Sequence, residues 1–257
     1  MGRLSGKVAI VVGASRGIGA VCAVRLASEG AALVIGSRTV SQMEDTVTPQ
    51  IKNANKDAQV IAVKCDVTKE EDIKGIVDKA VEEHGKLDIA VNNAGTAGER
   101  AKVEDFDGEV YDLIFSTNVK ALFYCHKYEI RAMKKTLSEK DGQVGSIVNI
   151  SSVLSQAAAT KLLGVSVYAS SKAAIDMVTK YAAMENPKSV RVNAVNPGVI
   201  KTNMARKYGD EGLEKIQFVG RKGKSEEVAS LVAFLASDEA SLVTGATHLV
   251  DGGFALT

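Results

Sequence analysis

The chain has 257 residues, 46% of them hydrophobic and 25% charged, enough for a full buried core and ordinary for a soluble globular protein. A formal net charge of +1 leaves no basic excess to neutralise nucleic-acid phosphates, and the apolar runs are too short to span a bilayer. Cys22, Cys65 and Cys125 are odd in number and widely spaced, and His84, His126 and His248 add no ligand spacing, so small buried thiols are expected rather than a disulfide framework or a metal site.

In chain order, residues 7–12 form a short continuous apolar run, as expected of a strand buried on both faces. Gly13-Ala14-Ser15-Arg16-Gly17-Ile18-Gly19 follows and opens a helical pattern over 17–29 that ends at Gly30. The spacing G-x-x-x-G-x-G differs from the dinucleotide fingerprint G-x-G-x-x-G but serves a similar purpose. Its glycines permit a tight turn and close backbone approach to a pyrophosphate at a helix N-terminus.

A second strand over 32–36 runs into Ser37-Arg38-Thr39. An NAD site usually places an acidic residue here, roughly 20 residues past the glycine turn, to hold the ribose 2′-hydroxyl. No carboxylate is present; Glu44 and Asp45 come a turn or more later and read as helix-face residues. Arg38 can pair with a 2′-phosphate, Ser37 can donate a hydrogen bond to it, and Arg16 adds a second positive charge. NADP(H) is the expected cofactor.

The alternation continues with a helix over 40–53, a strand over 59–65 and a helix over 70–83 closing on His84-Gly85, which suits a C-terminal cap. A strand over 87–91 comes next, and a later helix holds Ala121, Leu122, Phe123 and Cys125. Further strands are predicted over 146–150, 190–195 and 247–250, with helices over 168–184 and over 225–236, the latter capped by Ser225. Strands separated by helices imply right-handed crossovers, hence an α/β fold with a doubly wound parallel sheet, Rossmann-like, flanked by helices on both faces. No linker or composition shift divides residues 1–257, so one domain is expected, with a substrate lid over 203–224. Lys134-Lys135 and residues 222–224 read as solvated surface. No apolar leader pattern opens the chain, Gly6 argues against myristoylation at Met1-Gly2, and the expected compartment is a reducing cytosol.

Within the helix over 168–184, Tyr168 and Lys172 stand one turn apart and project from the same face. A free phenol titrates near pH ~10, and a fixed positive charge beside it stabilises the phenolate, bringing the group toward the range where it can act as an acid or base. The pair gains meaning from the nucleotide loop upstream.

Together with Gly13/Gly17/Gly19, the motif Asn92-Asn93-Ala94-Gly95 and Tyr168-x-x-x-Lys172, in this order, make the chain resemble the short-chain dehydrogenase/reductase family. Val148-Asn149-Ile150-Ser151-Ser152, Asn196-Pro197-Gly198-Val199-Ile200-Lys201-Thr202 and Val250-Asp251-Gly252-Gly253 extend the likeness over essentially the whole chain. The resemblance implies hydride transfer between a nicotinamide and a carbonyl or alcohol substrate. It implies Tyr168 as the general acid for reduction or base for oxidation, Lys172 as its partner and a ribose ligand, Ser152 as the hydroxyl polarising the substrate oxygen, and Asn118 as the residue holding a water in the proton relay. It further implies a cofactor site of Gly13, Ser15, Arg16, Gly17, Ile18 and Gly19, Asp66 at the adenine with Val67, and Asn92, Ala94 and Gly95 along the cofactor. Pro197 and Gly198 lead to Ile200 and Thr202, which would hold the carboxamide.

Two departures stand out. Val12 replaces the usual Thr before Gly13, and the stretch from Ser152 to Tyr168 is a few residues longer than is usual, leaving Ser155 as a competing polarising hydroxyl. That stretch, with Ala157-Ala158-Ala159 and Leu162-Leu163, would border the substrate cleft and make it apolar. Within the enzyme class, a 3-oxoacyl-thioester reductase acting on an acyl carrier protein competes with a simple carbonyl reductase; Arg206, Lys207, Arg221, Lys222 and Lys224 would then form a basic entrance. A non-catalytic nucleotide sensor is the alternative outside it. Apolar residues on the helix with Ala121 and on Ala173, Ala174, Ile175 and Met177, combined with the resemblance, imply a homotetramer.

Overall fold

A computed structural model describes residues 2–138, 142–158, 162–206 and 216–256. Ala159, Lys207 and residues 207–215 of the expected lid lie outside the described residues. Seven strands, β1 (Val8–Val12), β2 (Ala32–Ser37), β3 (Val60–Lys64), β4 (Ile89–Asn92), β5 (Gly145–Ile150), β6 (Val190–Pro197) and β7 (Thr247–Val250), pair in parallel in the order β3-β2-β1-β4-β5-β6-β7. The order reverses between β1 and β4, where a crevice opens beyond the strand ends and ligands bind in open α/β sheets.

Every residue of β1 is buried, because helices cover both faces. Ala9 and Val11 face one core with Cys22, Leu26, Val228 and Val232, contributed by α1 (Gly17–Ser28) and α9 (Ser225–Ala236). Val8, Ile10 and Val12 face the other, with Ile73, Ile76 and Val77 of α4 (Glu70–His84) and Cys125 and Met133 of α6 (Ala121–Thr136). Period-2 alternation thus feeds two apolar layers from one strand. Among the described residues all three cysteines are free and buried, and burial raises the thiol of Cys22 to about 12.

The helix expected over 40–53 is composite: α2 (Val40–Gln42), a π turn (Met43–Val47) and α3 (Thr48–Ala54), with Pro49 in the first turn of α3. A second π turn (Ser116–Lys120) joins α5 (Gly108–Phe115) to α6. His84 closes α4, and Gly85 adopts a left-handed φ of 76° at the cap. The cap expected at Ser225 is corrected: Ser225 is the first residue inside α9 and is buried, and the Lys224 N–H is taken instead by the Glu227 carboxylate, 2.7 Å away. Glu three residues into a helix satisfies the preceding backbone donor better than a hydroxyl already within the first turn. α7 (Ser166–Glu185) and the short α8 (Asn203–Arg206) complete the named helices.

Candidate active site

The nucleotide turn is fixed by the sheet beneath it. The N–H groups of Gly13 and Ala14 both donate to the Gly36 carbonyl, at 2.8 and 3.1 Å, and the Asn93 amide donates to the Gly13 carbonyl at 2.8 Å. Gly13 has φ +86°, and a Cβ there would lie 2.7 Å from the Ala94 nitrogen; a Cβ on Gly19 would lie 2.2 Å from the Gly13 oxygen. These glycines are therefore required by close backbone approach, and the cradle they leave fits a pyrophosphate at the N-terminus of α1. Ser15, Arg16 and Gly17 open onto a cleft of about 430 Å³ that Gln42, Gln50, Lys201 and Lys224 also line. Ile18 packs on the core.

At the end of β2, Ser37 is buried and its hydroxyl turns onto the Thr39 backbone, donating to the carbonyl at 3.0 Å and accepting from the N–H at 3.2 Å. Arg38 is exposed. Beyond β3, the Asp66 carboxylate accepts from the Thr68 hydroxyl at 2.8 Å and the Thr68 N–H at 3.1 Å. Those bonds, with the positive charge of Arg38, hold its proton affinity below the ordinary carboxylate range. Val67 is buried beside it.

The π turn sets the position of Asn118, which is 2% exposed. Its Oδ1 accepts from the Thr96 N–H at 2.8 Å, and its Nδ2 donates to the Thr96 carbonyl and to the Ser171 hydroxyl, each at 2.9 Å. A bulge of this kind shifts one side chain out of the regular helical register. Lys172 is 3% exposed, and its Nζ donates to the Ile150 carbonyl at 2.8 Å while lying 5.7 Å from the centre of the Tyr168 ring. Burial lowers the Lys172 ammonium to about 8, opposed by the negative charge of Asp176. Gly95 permits this convergence: a Cβ there would be 3.3 Å from Asn118 Oδ1 and 3.5 Å from Lys172 Nζ.

Ser152 follows β5, and its Oγ accepts from the Leu154 N–H at 3.2 Å. Ser155 is committed elsewhere, with its hydroxyl 2.6 Å from Asp176 Oδ2 and 2.8 Å from the Ser152 carbonyl. The extended stretch after Ser152 packs Leu154, Ala157 and Leu162 against Val153, Val199, Ile216 and Phe254, whereas Leu163 is 71% exposed. Pro197 ends β6, the Gly198 N–H donates to the Val250 carbonyl at 3.0 Å, and Ile200 is buried. Thr202 reaches the glycine turn, its Cγ2 3.6 Å from where a Gly17 Cβ would stand.

Asn92 directs its amide into a buried polar cluster, donating to Glu129 Oε2 and Asn149 Oδ1, both at 3.1 Å. Asn149 also meets His126 Nε2 at 3.2 Å and donates to Thr179 Oγ1 at 2.9 Å. Glu129 is fully buried; desolvation raises its carboxyl to about 8 and lowers His126 to about 4. The sequence motifs included Asn92, Asn93 and Asn149, but sequence reading missed Glu129, Thr179 and Asp176 and the clustering itself. A carboxylate at an otherwise apolar helix position was the available signal.

A family model described as enoyl-(acyl carrier protein) reductase matches residues 13–255. The cyclohexanol dehydrogenase of Acinetobacter sp. (strain SE19) is 34% identical over 253 residues, covering 98% of this chain and 96% of the relative. The 3-oxoacyl-(acyl-carrier-protein) reductase of Thermotoga maritima is 36% identical over 267 residues, covering 99% of this chain and all of the relative. Among solved structures, a short-chain type dehydrogenase/reductase from Mycobacterium marinum superposes with a TM-score of 0.89 at 33% identity, covering 98% of this chain and 96% of the other. With the switch-point crevice and the glycine cradle, these likenesses place the chain in the short-chain dehydrogenase/reductase family, as an oxidoreductase that moves a hydride between a nicotinamide cofactor and a carbonyl or secondary alcohol.

Proposed function

We propose that the chain is an NADP(H)-dependent carbonyl reductase, working in reverse as an alcohol dehydrogenase, on compact apolar ketones. The observation that carries the reading is Lys172 Nζ held under the Tyr168 ring beside Asn118 and Gly95, at the C-terminal ends of the central strands. When bound, NADPH supplies the hydride to the carbonyl carbon. The chain's own residues manage the alkoxide that develops. Ser152 donates to the substrate oxygen, the Tyr168 hydroxyl releases its proton to it, and the Lys172 charge stabilises the phenolate left behind. Asn118 fixes the Thr96 backbone and, through Ser171, the first turn of α7, keeping the donors aligned. The stretch after Ser152 carries the partly buried apolar side chains of Leu154, Ala157 and Leu162, which suits a hydrocarbon ring such as the one named in the cyclohexanol dehydrogenase relative.

The 2′-phosphate preference is supported by Arg38 exposed at the end of β2, by Arg16, Lys201 and Lys224 around the adjoining cleft, and by the lack of an acidic residue at 36–39. The carrier-protein reading is less favoured because Arg221 of the expected basic entrance is already bidentate to Glu227, at 2.6 and 2.9 Å. The sensor reading is disfavoured by the presence of Asn118, Ser152, Tyr168 and Lys172 together. A homotetramer in the cytoplasm completes the proposal.

The test is initial rates with NADPH and with NADH on cyclohexanone, an acetoacetyl thioester and a broad ketone panel. Higher kcat/KM with NADPH and cyclohexanone is expected. Preference for the thioester would select the carrier-protein reading, and tight NADPH binding without turnover would select the sensor.

A further inference from the structure

We propose that Asp176 is a positioning residue that ties the polarising serine to the active-site lysine. The proposal deepens the reductase reading and rests on it. Asp176 stands one turn beyond Lys172 on α7 and is 7% exposed. Its Oδ2 receives three donors: the Ser155 hydroxyl at 2.6 Å, the Asn196 amide at 2.8 Å and the Gln156 amide at 3.4 Å. Ser155 and Asn196 are also the groups that hold the Ser152 carbonyl, at 2.8 and 3.2 Å. The carboxylate therefore gathers the two side chains that fix the turn carrying the Ser152 hydroxyl. Asn196 immediately precedes Pro197-Gly198, so the same anchor reaches the segment leading to Ile200 and Thr202. A carboxylate acceptor makes these bonds stronger than neutral ones.

The second action is electrostatic. The groups facing Lys172 are Tyr168 and Asp176 on its own helix, the Ile150 carbonyl from β5, the Asn118 amide from the π turn and the Gly95 backbone after β4. Of these, Asp176 supplies the negative charge that opposes the desolvation of the ammonium. Ser155 is thereby assigned: its proton serves Asp176 and the Ser152 backbone, not the substrate.

The experiment compares wild type, Asp176→Asn, Asp176→Glu and Ser155→Ala. The Lys172 side chain is titrated by NMR in cofactor-free enzyme carrying 13Cε-lysine, with the resonance assigned by its loss in Lys172→Arg. Asp176→Asn keeps the shape but removes the charge. Its Lys172 is expected to bind its proton roughly tenfold more weakly, and the alkaline limb of kcat/KM to move to lower pH. Asp176→Glu should return the titration toward wild type. Ser155→Ala should lower kcat several-fold with KM little changed and the Lys172 titration unmoved. Identical Lys172 titration in wild type and Asp176→Asn would overturn the electrostatic half. Undiminished kcat in Ser155→Ala would overturn the positioning half, and that variant carries the test if Asp176→Asn does not fold. Because the resonance is read without turnover, a chain that reduces no ketone sinks the reductase reading alone, and an unmoved resonance sinks this proposal alone.

Discussion

Tyr168 is held at the site by α7, with the buried Lys172 ammonium 5.7 Å from the centre of its ring. Replacing it with Phe removes the hydroxyl but leaves the ring that covers Lys172. Tyr168→Phe is expected to cost at least about a hundredfold in kcat, while the NADPH dissociation constant, read from nicotinamide fluorescence, stays within a few-fold. Equal turnover in the two proteins would remove the phenol from the chemistry. Glu129 makes a separate residue-scale case. Its folded-state proton affinity is raised to about 8 by burial, above that of an unfolded glutamate. Its contribution to stability is therefore fully present below the unfolded value, near pH ~4.3, and is lost as pH rises toward 8. At pH 7 the loss is on the order of 3 kcal/mol. Glu129→Gln should flatten this slope: thermal midpoints of variant and wild type should diverge from pH 5 to pH 8, with the variant higher at the alkaline end. A parallel pair of curves would show that the carboxyl ionises freely.

At the level of elements, the glycine turn leaves no room for a side chain at Gly13 or Gly19. A Cβ on Gly19 would meet the Gly13 oxygen at 2.2 Å and the Asn93 amide nitrogen at 2.5 Å, so the turn itself must move. Gly19→Ala is expected to weaken NADPH binding by tenfold or more and to destabilise the fold by about 1–3 kcal/mol; calorimetric unfolding and a fluorescence titration would measure both. The strands were legible in the sequence because burial on both faces gives continuous apolar runs such as that of β1. The glycine turn and the Tyr168/Lys172 pair were legible because their spacings carry the chemistry. The π turn at Ser116–Lys120 was not, since a single-residue bulge leaves the apolar pattern of α5 and α6 almost unchanged. Glu129 and Asp176 were harder to read, the first signalled only by a carboxylate among apolar helix positions. Each resembles a surface charge on an amphipathic helix until β4, β5 or the turn after Ser152 is packed against it.

For the whole molecule, the expected association follows from where apolar side chains remain outside. Met177, Tyr181 and Met184 form an i, i+4, i+7 stripe on α7, 51%, 58% and 73% exposed, with Phe123 of α6 55% exposed. Phe218, Val219, Leu249 and Leu256 form a second group near β7 and the chain end. If each patch pairs with its own copy about a two-fold axis, a closed four-subunit assembly results. Light scattering should give four times the 27.1 kDa chain mass, and Met184→Glu should reduce it to a dimer or below. A one-chain mass for the wild type would contradict the assembly. Stripes of this kind are partly visible in sequence, but which of Ala121, Leu122, Phe123 and Cys125 point outward was decided by the packing of α6.

The hydrogen bond from the Lys172 ammonium to the Ile150 carbonyl has a kinetic consequence. It moors the cation to the last residue of β5, so the charge that would stabilise the phenolate already stands beside Tyr168. The pace of such a catalyst is then expected to be set by arrivals and departures through the mouth of the crevice, and solvent viscosity should slow it more than isotopic substitution of the hydride.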